Sequence, residues 1–356
     1  MGLKVIVWGT GNVGRPALRA VQSHSELELV AVIVSNPAKV GQDAGTLAGL
    51  PETGVLATDD YKAAIAAGAD AVIYTATADI RPEEAMADLG ACLAAGINVV
   101  STSFYSFLHP GSVAAEVTAP VEAVCAASGA SLLVSGIDPG WAMDALPIML
   151  SGAVADIKEI RCREIFNYAL YDQPQVVREV IGFGGSLEEL PLMLHDFAIE
   201  MVWAPMLRVV GDELGKPVQK VEVKVERRPL QRTIEVDGMG TFDEGTQGAF
   251  RFEIIGHTAT EVRYVIEHVT RIDDECAPDW PYPAEGRGCH QVVISGNPDL
   301  HVSVHAEDHF EPGAAGGGNA TAANWIVNAI PAVCGARPGI VTLSDLPAIR
   351  GAKQLR

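Results

Sequence analysis

Three glycines near the N-terminus have the spacing that lets a backbone wrap around a phosphate group. They lie in the segment GTGNVG, residues 9–14, after the apolar run Val5–Trp8 and at the start of a helix-like stretch. Gly9 permits a tight turn, Gly11 lets the backbone approach a pyrophosphate, and Gly14 lets strand and helix pack closely. This context favours a dinucleotide site over a turn without a ligand. The residues predicted to line the site are Gly9, Thr10, Gly11, Asn12, Val13 and Gly14.

The end of the second predicted strand favours one form of the cofactor. We call the segment GTGNVG the fingerprint. A domain that prefers NAD usually places Asp or Glu about 20 residues after it, where the acid binds the ribose 2′-hydroxyl. Here the segment 34–39 reads VSNPAK and contains no acid. Ser35 can hydrogen-bond a 2′-phosphate and Lys39 can neutralise it. We therefore predict NADP, bound through Ser35, Asn36 and Lys39. In the alternative, Lys39 is a solvated loop residue and NAD is accepted as well.

Small polar residues follow other predicted strands of the same sheet. Ligands of open α/β sheets gather at the carboxyl ends of the strands, and the segments TATAD (75–79) and STSFYSFLHP (101–110) fall at such ends. Their hydroxyl groups would line the nicotinamide and ribose, with plain loop capping as the alternative for each. The residues predicted for this role are Thr75, Ala76, Thr77, Thr102 and Ser103.

Three titratable residues at or near strand ends are candidates for proton transfer. Asp138 directly follows the fifth predicted strand, and the alternative role for it is to cap a helix near Trp141. Tyr168 ends the first strand beyond the nucleotide domain. His109 precedes Pro110 in a loop, where a surface histidine is the alternative. We predict catalytic roles for Asp138, Tyr168 and His109.

Composition excludes several classes of protein. The 45 acidic and 25 basic residues give a formal net charge of −20, so neither nucleic acid nor an anionic membrane is an expected partner. No apolar run reaches the roughly 18 residues of a membrane span, and we expect a soluble, cytoplasmic protein.

The six cysteines form no CxxC pair. His301, His305 and His309 recur every four residues beside a strand-like segment. A metal-dependent hydrolase is the function they would suggest, but we predict no metal.

Alternating strands and helices would position these residues. Apolar runs typical of buried strands cover 5–8, 27–34, 71–75, 98–101 and 131–135, and helix-like stretches cover 13–23, 59–67, 82–95 and 113–128. This order predicts an α/β domain with a Rossmann-like parallel sheet. After residue 140, segments that alternate apolar and polar residues cover 157–168, 218–227, 248–255, 262–270 and 291–295. They predict a second, α+β domain with an open, mainly antiparallel sheet, interrupted by a helix at 187–210.

The C-terminal part indicates a return to the first domain. The glycine-rich segment EPGAAGGGNA (311–320) suggests a hinge, and the helix-like run Thr321–Ile330 is rich in alanine like the first part of the chain. We predict a dinucleotide-binding domain of residues 1–140 and 318–356. Residues 141–317 would form a domain for substrate binding and dimerisation.

Seven segments together resemble one known group of enzymes. They are WGTGNVG (8–14), NPAKVGQDAG (36–45), INVVSTSFY (97–105), SGIDPG (135–140), EIFNYALYDQP (164–174), APDWPYP (277–283) and NAIPAVCGARPGI (328–340). On these segments, which span nearly the whole chain, the protein resembles the dihydrodipicolinate-reductase-like superfamily. Within it, the chain is similar to the branch of 2,4-diaminopentanoate dehydrogenase and the native NAD(P)H-dependent amine dehydrogenases. The resemblance implies a homodimer that transfers hydride between a nicotinamide cofactor and an imine or amine carbon of a small molecule.

Two departures from the family pattern bear on the substrate. The reductases of lysine biosynthesis carry a His-His-x-x-Lys segment, and HAEDHF (305–310) does not match it, so activity in the lysine pathway is not expected. Amine dehydrogenases of this group carry a glutamate where the present chain reads Ser101-Thr102-Ser103-Phe104. We therefore expect an NADP-dependent oxidoreductase acting on a C=N or C–N bond, or on a related carbonyl, with Asp138 or another acid replacing that glutamate. The alternative is a non-catalytic sensor or structural protein that binds NAD(P).

Overall fold

The computed structural model describes residues 2–171, 173–311 and 313–355. Met1, Asp172, Pro312 and Arg356, which fall within segments interpreted above, lie outside the described residues. The chain divides into two compact units. Unit 1 comprises residues 1–137 and 319–356, and unit 2 comprises residues 138–318.

Unit 1 is built on a parallel sheet. Across its described residues the sheet has seven strands, in the order β15-β6-β5-β4-β1-β2-β3. The strands are β1 (Leu3–Trp8), β2 (Leu27–Ile33), β3 (Ala57–Thr58), β4 (Ala71–Tyr74), β5 (Asn98–Ser101), β6 (Ser131–Val134) and β15 (Gly339–Val341). The helices are α1 (Gly14–Ser23), α2 (Ala44–Ala48), α3 (Tyr61–Ala66), α4 (Pro82–Ala94) and α5 (Ala115–Ser128). The predicted Rossmann-like sheet is confirmed, because uninterrupted apolar strands between amphipathic helices leave both sheet faces to be covered.

The C-terminal part of the chain completes unit 1. Its last helix, α8 (Gly313–Cys334), places Ile326, Val327 and Ile330 in the apolar core beside Val5 and Val7 of β1. The chain then adds β15 to the edge of the sheet next to β6.

The predicted glycine-rich hinge before this helix is wrong. Residues from Gly313 onward are already helical, and the glycines serve close packing instead. A Cβ atom on Gly317 would lie 1.9 Å from the carbonyl oxygen of Ala306, and one on Gly316 would lie 2.1 Å from that of Glu311. Glycine is needed here because the preceding segment lies directly against the first turns of α8.

Unit 2 contains a sheet of six strands in its described residues, in the order β14-β13-β7-β12-β11-β8. These strands are β7 (Ala155–Asn167), β8 (Lys220–Pro229), β11 (Gln247–His257), β12 (Arg263–Arg271), β13 (Gly288–Asn297) and β14 (Leu300–Val304). All neighbouring pairs are antiparallel except β7 with β12, which is parallel. The sheet is therefore open and mainly antiparallel, as predicted, with one parallel pair that alternation alone did not reveal. A small antiparallel hairpin, β9 (Ile234–Val236) with β10 (Gly240–Phe242), forms a separate sheet of two strands.

Two helices cover one face of this sheet. They are α6 (Ala145–Ser151), which packs on β7 and β13, and α7 (Asp196–Glu213), which packs on β8, β11 and β12. The helix predicted at 187–210 begins only at Asp196, because Pro191 and a short 3-10 turn at Leu192–Leu194 precede it. Even-numbered residues of β7, β11, β12 and β13 point toward these helices, since successive side chains of a strand alternate between faces.

Among the described residues, no helix is both long and apolar enough to cross a membrane.

Candidate active site

The glycine loop of unit 1 has the shape that a dinucleotide requires. Gly9 has φ +103°, and a Cβ on Gly14 would lie 2.1 Å from the carbonyl oxygen of Gly9, so both positions need glycine to close the turn. A Cβ on Gly11 would meet nothing within 4 Å. Close packing explains Gly9 and Gly14, whereas the open space above Gly11 fits a group that approaches the backbone from outside.

Lys39 lies beside this loop. Its Nζ donates hydrogen bonds to the carbonyl oxygen of Thr10 at 2.9 Å and to the Thr10 hydroxyl at 3.1 Å. Burial and the nearby positive charge of Arg15 lower the pKa of Lys39. Ser35 and Asn36 are exposed on the same connection, and the Asn36 side chain accepts from the Ala38 amide. Two cations therefore stand next to each other at the loop, an arrangement that a bound phosphate would stabilise.

Sequence reasoning missed Arg15. The signal was available, because Arg15 directly follows the last glycine of the fingerprint. It therefore lies in the first turn of the helix whose N-terminus would face the phosphates.

The hydroxyl residues predicted to contact the nicotinamide hold the strand ends together. Thr75 donates from Oγ1 to the carbonyl oxygens of Trp8 (3.1 Å) and Gly9 (3.2 Å), and Ser103 donates to that of Ala76 (2.6 Å). The structure thus brings the segments 75–77 and 102–103 to the edge of the sheet that carries the glycine loop. Within them, the Thr77 hydroxyl contacts Asp79 at 3.2 Å, and the Thr102 amide donates to the carbonyl oxygen of Tyr74 at 3.3 Å.

In unit 2 a row of side chains crosses four strands on the face covered by α6 and α7. His290 of β13 pairs in register with Glu164 of β7, Glu164 pairs with His268 of β12, and His268 pairs with Phe252 of β11. Directly opposed residues on neighbouring strands share a face and lie within side-chain contact. Register alone therefore places one carboxylate between two imidazoles.

Asp138 and Tyr168 join this row from flanking loops. Asp138 Oδ2 lies 2.9 Å from His268 Nε2, and its Oδ1 accepts a hydrogen bond from Trp203 Nε1 at 2.8 Å. The Tyr168 hydroxyl donates to Glu164 Oε1 at 3.0 Å. We name these five titratable residues, Asp138, Glu164, Tyr168, His268 and His290, the polar cluster. Trp203 of α7 and Phe252 form its apolar wall.

Charges within the polar cluster change the proton affinities of its members. Burial opposes ionisation of Glu164, but His268 and His290 outweigh it, so the pKa of the Glu164 carboxyl lies below its ordinary value. Burial likewise opposes a charge on His268, yet the carboxylates of Asp138 and Glu164 raise its pKa. The pKa of Tyr168 is raised by burial and by the Glu164 charge. The cluster is thus arranged for an ionised Glu164 and a charged His268 beside a neutral Tyr168.

A further carboxyl group is buried close to the cluster. Asp144 is the N-cap of α6, where it accepts from the Ala145 amide, and burial raises its pKa to about 7. Asp138 therefore does not cap this helix, and the capping alternative for it does not hold.

The structure brings two of the three predicted catalytic residues together. Asp138 and Tyr168 belong to the polar cluster, whereas His109 lies in unit 1, between the 3-10 turns Tyr105–Leu108 and Pro110–Ser112.

The three histidines considered as metal ligands, His301, His305 and His309, are exposed. Among the described residues, the group whose ligand atoms lie close enough for a metal ion is Asp138, Glu164 and His268, with those atoms within 4.8 Å of one another.

Glu164, His268 and His290 were missed. Each lies on the face of its strand that otherwise carries mostly apolar residues. Glu164, for example, lies between Cys162 and Phe166, and His268 follows Ile266 on the same face. Charged residues on the buried face of a strand are costly unless paired. A titratable residue on an otherwise apolar strand face was therefore the signal that could have found them.

Comparisons with known proteins agree with these features. Residues 3–106 match the family model of the dihydrodipicolinate reductase N-terminus, and residues 141–355 match that of the 2,4-diaminopentanoate dehydrogenase C-terminal domain. An amine dehydrogenase from Streptomyces virginiae is 46% identical over 97% of this chain and 96% of its own length. A 2,4-diaminopentanoate dehydrogenase from Acetoanaerobium sticklandii is 24% identical over 71% of this chain and 67% of its own.

A solved structure shares the fold. The amine dehydrogenase from Mycobacterium smegmatis superposes with a TM-score of 0.77 at 22% identity, over 100% of this chain and 99% of that one. With the fingerprint loop and the polar cluster in place, the sequence matches decide the assignment. The chain belongs to the family of 2,4-diaminopentanoate dehydrogenases and amine dehydrogenases, and it is an NAD(P)-dependent oxidoreductase.

Proposed function

We propose that this protein is an NADP-preferring amine dehydrogenase that interconverts a small primary amine and the corresponding carbonyl compound through the imine. The observation that carries the proposal is the polar cluster. It places two carboxylates within reach of one buried imidazole and adds a tyrosine hydroxyl. The amine dehydrogenase relative that is 46% identical supports the same reaction class.

The charge of the cluster suits a cationic substrate. Glu164 contributes a buried carboxyl group whose pKa lies below its ordinary value, and Asp138 adds a second carboxyl group to the cluster. A buried carboxylate is stabilised when a counter-charge approaches it. A substrate ammonium group of charge +1 would supply that counter-charge, and its release as ketone would remove it.

We assign Glu164 as the carboxylate that faces the substrate, in place of the glutamate absent near Thr102. Its side chain retains 11% exposure, whereas that of Asp138 retains none. Asp138 Oδ1 also accepts a hydrogen bond from Trp203, and Oδ2 lies 2.9 Å from His268 Nε2. Asp138 then acts as the anchor of the cluster, and Tyr168 orients Glu164 through the hydrogen bond to Oε1.

During amine oxidation the ammonium group must lose a proton before its carbon can release a hydride. Glu164 Oε2 would take that proton, because Oε1 already accepts from Tyr168. When bound, the cofactor supplies the hydride chemistry, with its nicotinamide ring as the acceptor. In the reverse direction the same Glu164 proton would return to the substrate nitrogen.

We propose that unit 1 holds the cofactor through the residues predicted from sequence, with Arg15 added. The preference for NADP is supported by the adjacent positive charges of Lys39 and Arg15 and by the lack of an acid in 34–39. The contacts of Thr75 and Ser103 with neighbouring carbonyl groups support a role in shaping the nicotinamide pocket. A catalytic role for His109 remains a prediction.

The decisive experiment offers the purified protein a panel of small primary amines with NADP or NAD and follows the nicotinamide absorbance. Ketones with ammonia and NADPH test the reverse direction. Turnover with amines, and faster turnover with NADP, is the expected result. Tight NADPH binding by fluorescence without turnover on amines, cyclic imines or hydroxy acids would instead support a non-catalytic sensor.

We also propose that the protein is a homodimer, as its family resemblance implies. Light scattering on the eluting protein would give twice the chain mass of 37.5 kDa.

A further inference from the structure

Both ring nitrogens of His268 face a carboxylate. Nε2 lies 2.9 Å from Asp138 Oδ2, and Nδ1 lies 3.5 Å from Glu164 Oε1. A neutral imidazole has one N–H donor and one acceptor nitrogen, so it would turn a lone pair toward one of these carboxylates. An imidazolium donates from both nitrogens. The geometry therefore fits a charged ring with one carboxylate on each side.

We propose that His268 is a positioning residue that keeps its own proton throughout turnover. It thereby keeps Glu164 oriented, and ionised until Glu164 accepts the substrate proton. The proposal rests on the assignment of Glu164 made above. His268 lies between the anchor Asp138 and Glu164, so it would act on the substrate through Glu164 and not by direct contact. Its charge attracts both carboxylates and so offsets their mutual repulsion in one buried site.

The aromatic neighbours of His268 favour the charged ring. Phe252 stacks on it with centroids 4.6 Å apart and an angle of 12° between the planes. Trp203 meets it edge-on, with centroids 4.7 Å apart. A cation over an aromatic face is stabilised by the ring quadrupole, more so when it is removed from water. The same rings prevent the imidazole from turning away from the two carboxylates.

Other charged and titratable groups near His268 come from the elements packed around it. His290 of β13 approaches the other oxygen of Glu164, at 3.6 Å. Glu267 is the neighbour of His268 in β12 but points to the opposite sheet face, where it pairs with Arg161, Arg163 and Arg251 at 2.7 to 2.8 Å. Asp144 lies near Asp138, and its raised pKa limits the negative charge it adds. Asp138 and Glu164 are thus the carboxylates that His268 contacts directly.

A divalent metal ion is the competing occupant of this cluster, since Asp138, Glu164 and His268 each offer a ligand atom. A metal ion would need an unprotonated nitrogen of His268, and that nitrogen would then point at the ion instead of at a carboxylate. The proposal therefore predicts protein without stoichiometric metal. Elemental analysis after purification in metal-containing buffer tests this, and about one Zn²⁺ or other divalent ion per chain would overturn the proposal.

The protonation state of His268 is measurable in the unmodified protein. Nitrogen-15 NMR of histidine-labelled protein distinguishes an imidazolium from either neutral tautomer, and the His268 ring is identified by its contacts with the rings of Trp203 and Phe252. We expect the imidazolium pattern at pH 8, above the ordinary pKa of histidine near 6.5. A neutral ring at pH 8 would overturn the proposal. This measurement needs no substrate, so its result is separate from any failure to find amine turnover.

The kinetic test compares His268→Gln with His301→Gln, a change at an exposed histidine of β14. Without the His268 charge, the pKa of Glu164 rises, so the acid limb of kcat/KM should move upward by about one pH unit or more, with activity recovering at high pH. His301→Gln should leave the profile unchanged. A uniform loss of rate with an unmoved acid limb would show a merely structural role. If His268→Gln does not fold, the NMR result alone decides the proposal.

Discussion

The indole N–H group of Trp203 donates a hydrogen bond to Oδ1 of Asp138 at 2.8 Å, and the same ring contacts His268. One residue of α7 thus fixes both the anchor carboxylate and the imidazole of the polar cluster. Helix α7 covers the sheet, so the packing of the core and the orientation of these polar groups depend on the same side chain.

Trp203→Phe should separate the contribution of Trp203 to core packing from its hydrogen bond to Asp138. Phenylalanine keeps most of the apolar contact but cannot donate to Asp138, and a hydrogen bond to a charged group contributes roughly 1.5–3 kcal/mol. We expect kcat/KM for amine oxidation to fall about tenfold or more, measured by steady-state kinetics. Trp325→Phe is the matched control, because it removes an indole donor to Ser135 in unit 1. Equal losses in the two variants would contradict the assigned role.

Glu164→Gln should remove the proton acceptor while keeping the shape of the side chain. Loss of a general base typically costs about 100-fold or more in rate. We expect that loss in kcat, with NADPH affinity by fluorescence titration unchanged. Glu226→Gln, on the edge strand β8 of the same sheet and half exposed, serves as the control. Retention of more than a tenth of the activity in Glu164→Gln would contradict the assignment of the base.

Lys39→Ala tests the preference for NADP. If Lys39 binds the 2′-phosphate, the change should raise KM for NADP about tenfold or more and leave KM for NAD within about twofold. Steady-state kinetics with each cofactor measure both values. Lys62→Ala, at an exposed lysine of α3, should alter neither. A parallel loss with both cofactors would mean that Lys39 acts only by holding the Thr10 loop.

Gly11→Ala and Gly14→Ala should have different consequences. A methyl group at residue 14 would collide with the carbonyl of Gly9, so we expect a loss of stability of about 1–3 kcal/mol by thermal unfolding. A methyl group at residue 11 meets only open space. Gly11→Ala should therefore unfold at the wild-type temperature but bind NADPH at least about tenfold more weakly. Wild-type affinity in Gly11→Ala would argue against the pyrophosphate lying above this residue.

Asp144 should make stability depend on pH in a defined direction. Its folded pKa of about 7 lies above the unfolded value of 3.8. Between these values the folded protein binds the extra proton, so the free energy of unfolding should fall as pH rises, by at most about 1.4 kcal/mol per pH unit for this group. Urea denaturation from pH 4 to pH 8 measures the slope.

Asp144→Asn should flatten that slope, because asparagine does not titrate and remains a good N-cap. Asp156→Asn, at an exposed aspartate, should leave it as in the wild type. An identical slope in Asp144→Asn and wild type would contradict the assignment.

Much of unit 1 could be predicted from local pattern. The strands of the parallel sheet are continuous apolar runs, and the helices between them carry clear period and capping signals, so each element was recognisable without its neighbours. The predicted hinge at 311–320 failed because glycine is compatible with both a flexible loop and close packing. Only the position of Ala306 against Gly317 decides which applies.

The site in unit 2 was only partly predictable. Asp138 and Tyr168 were candidates from sequence because each follows a predicted strand, and ligands of open α/β sheets gather at strand ends. Glu164 and His268 lie within strands about a hundred residues apart in sequence, and strand register alone makes them neighbours. The parallel pairing of β7 with β12 is a non-local choice, since alternation in a strand indicates which residues share a face but not which strand lies beside it.

The sequence by itself determined the fold class, the dinucleotide loop and the family, because each depends on short segments whose spacing has a local physical meaning. Only the tertiary structure decided that a glutamate, two histidines and an aspartate from four separate segments form one buried cluster. Buried charges require partners, and the partners become known only when sheet register and helix packing bring distant strands together. The catalytic part of the prediction therefore depended on long-range pairing, whereas the cofactor part did not.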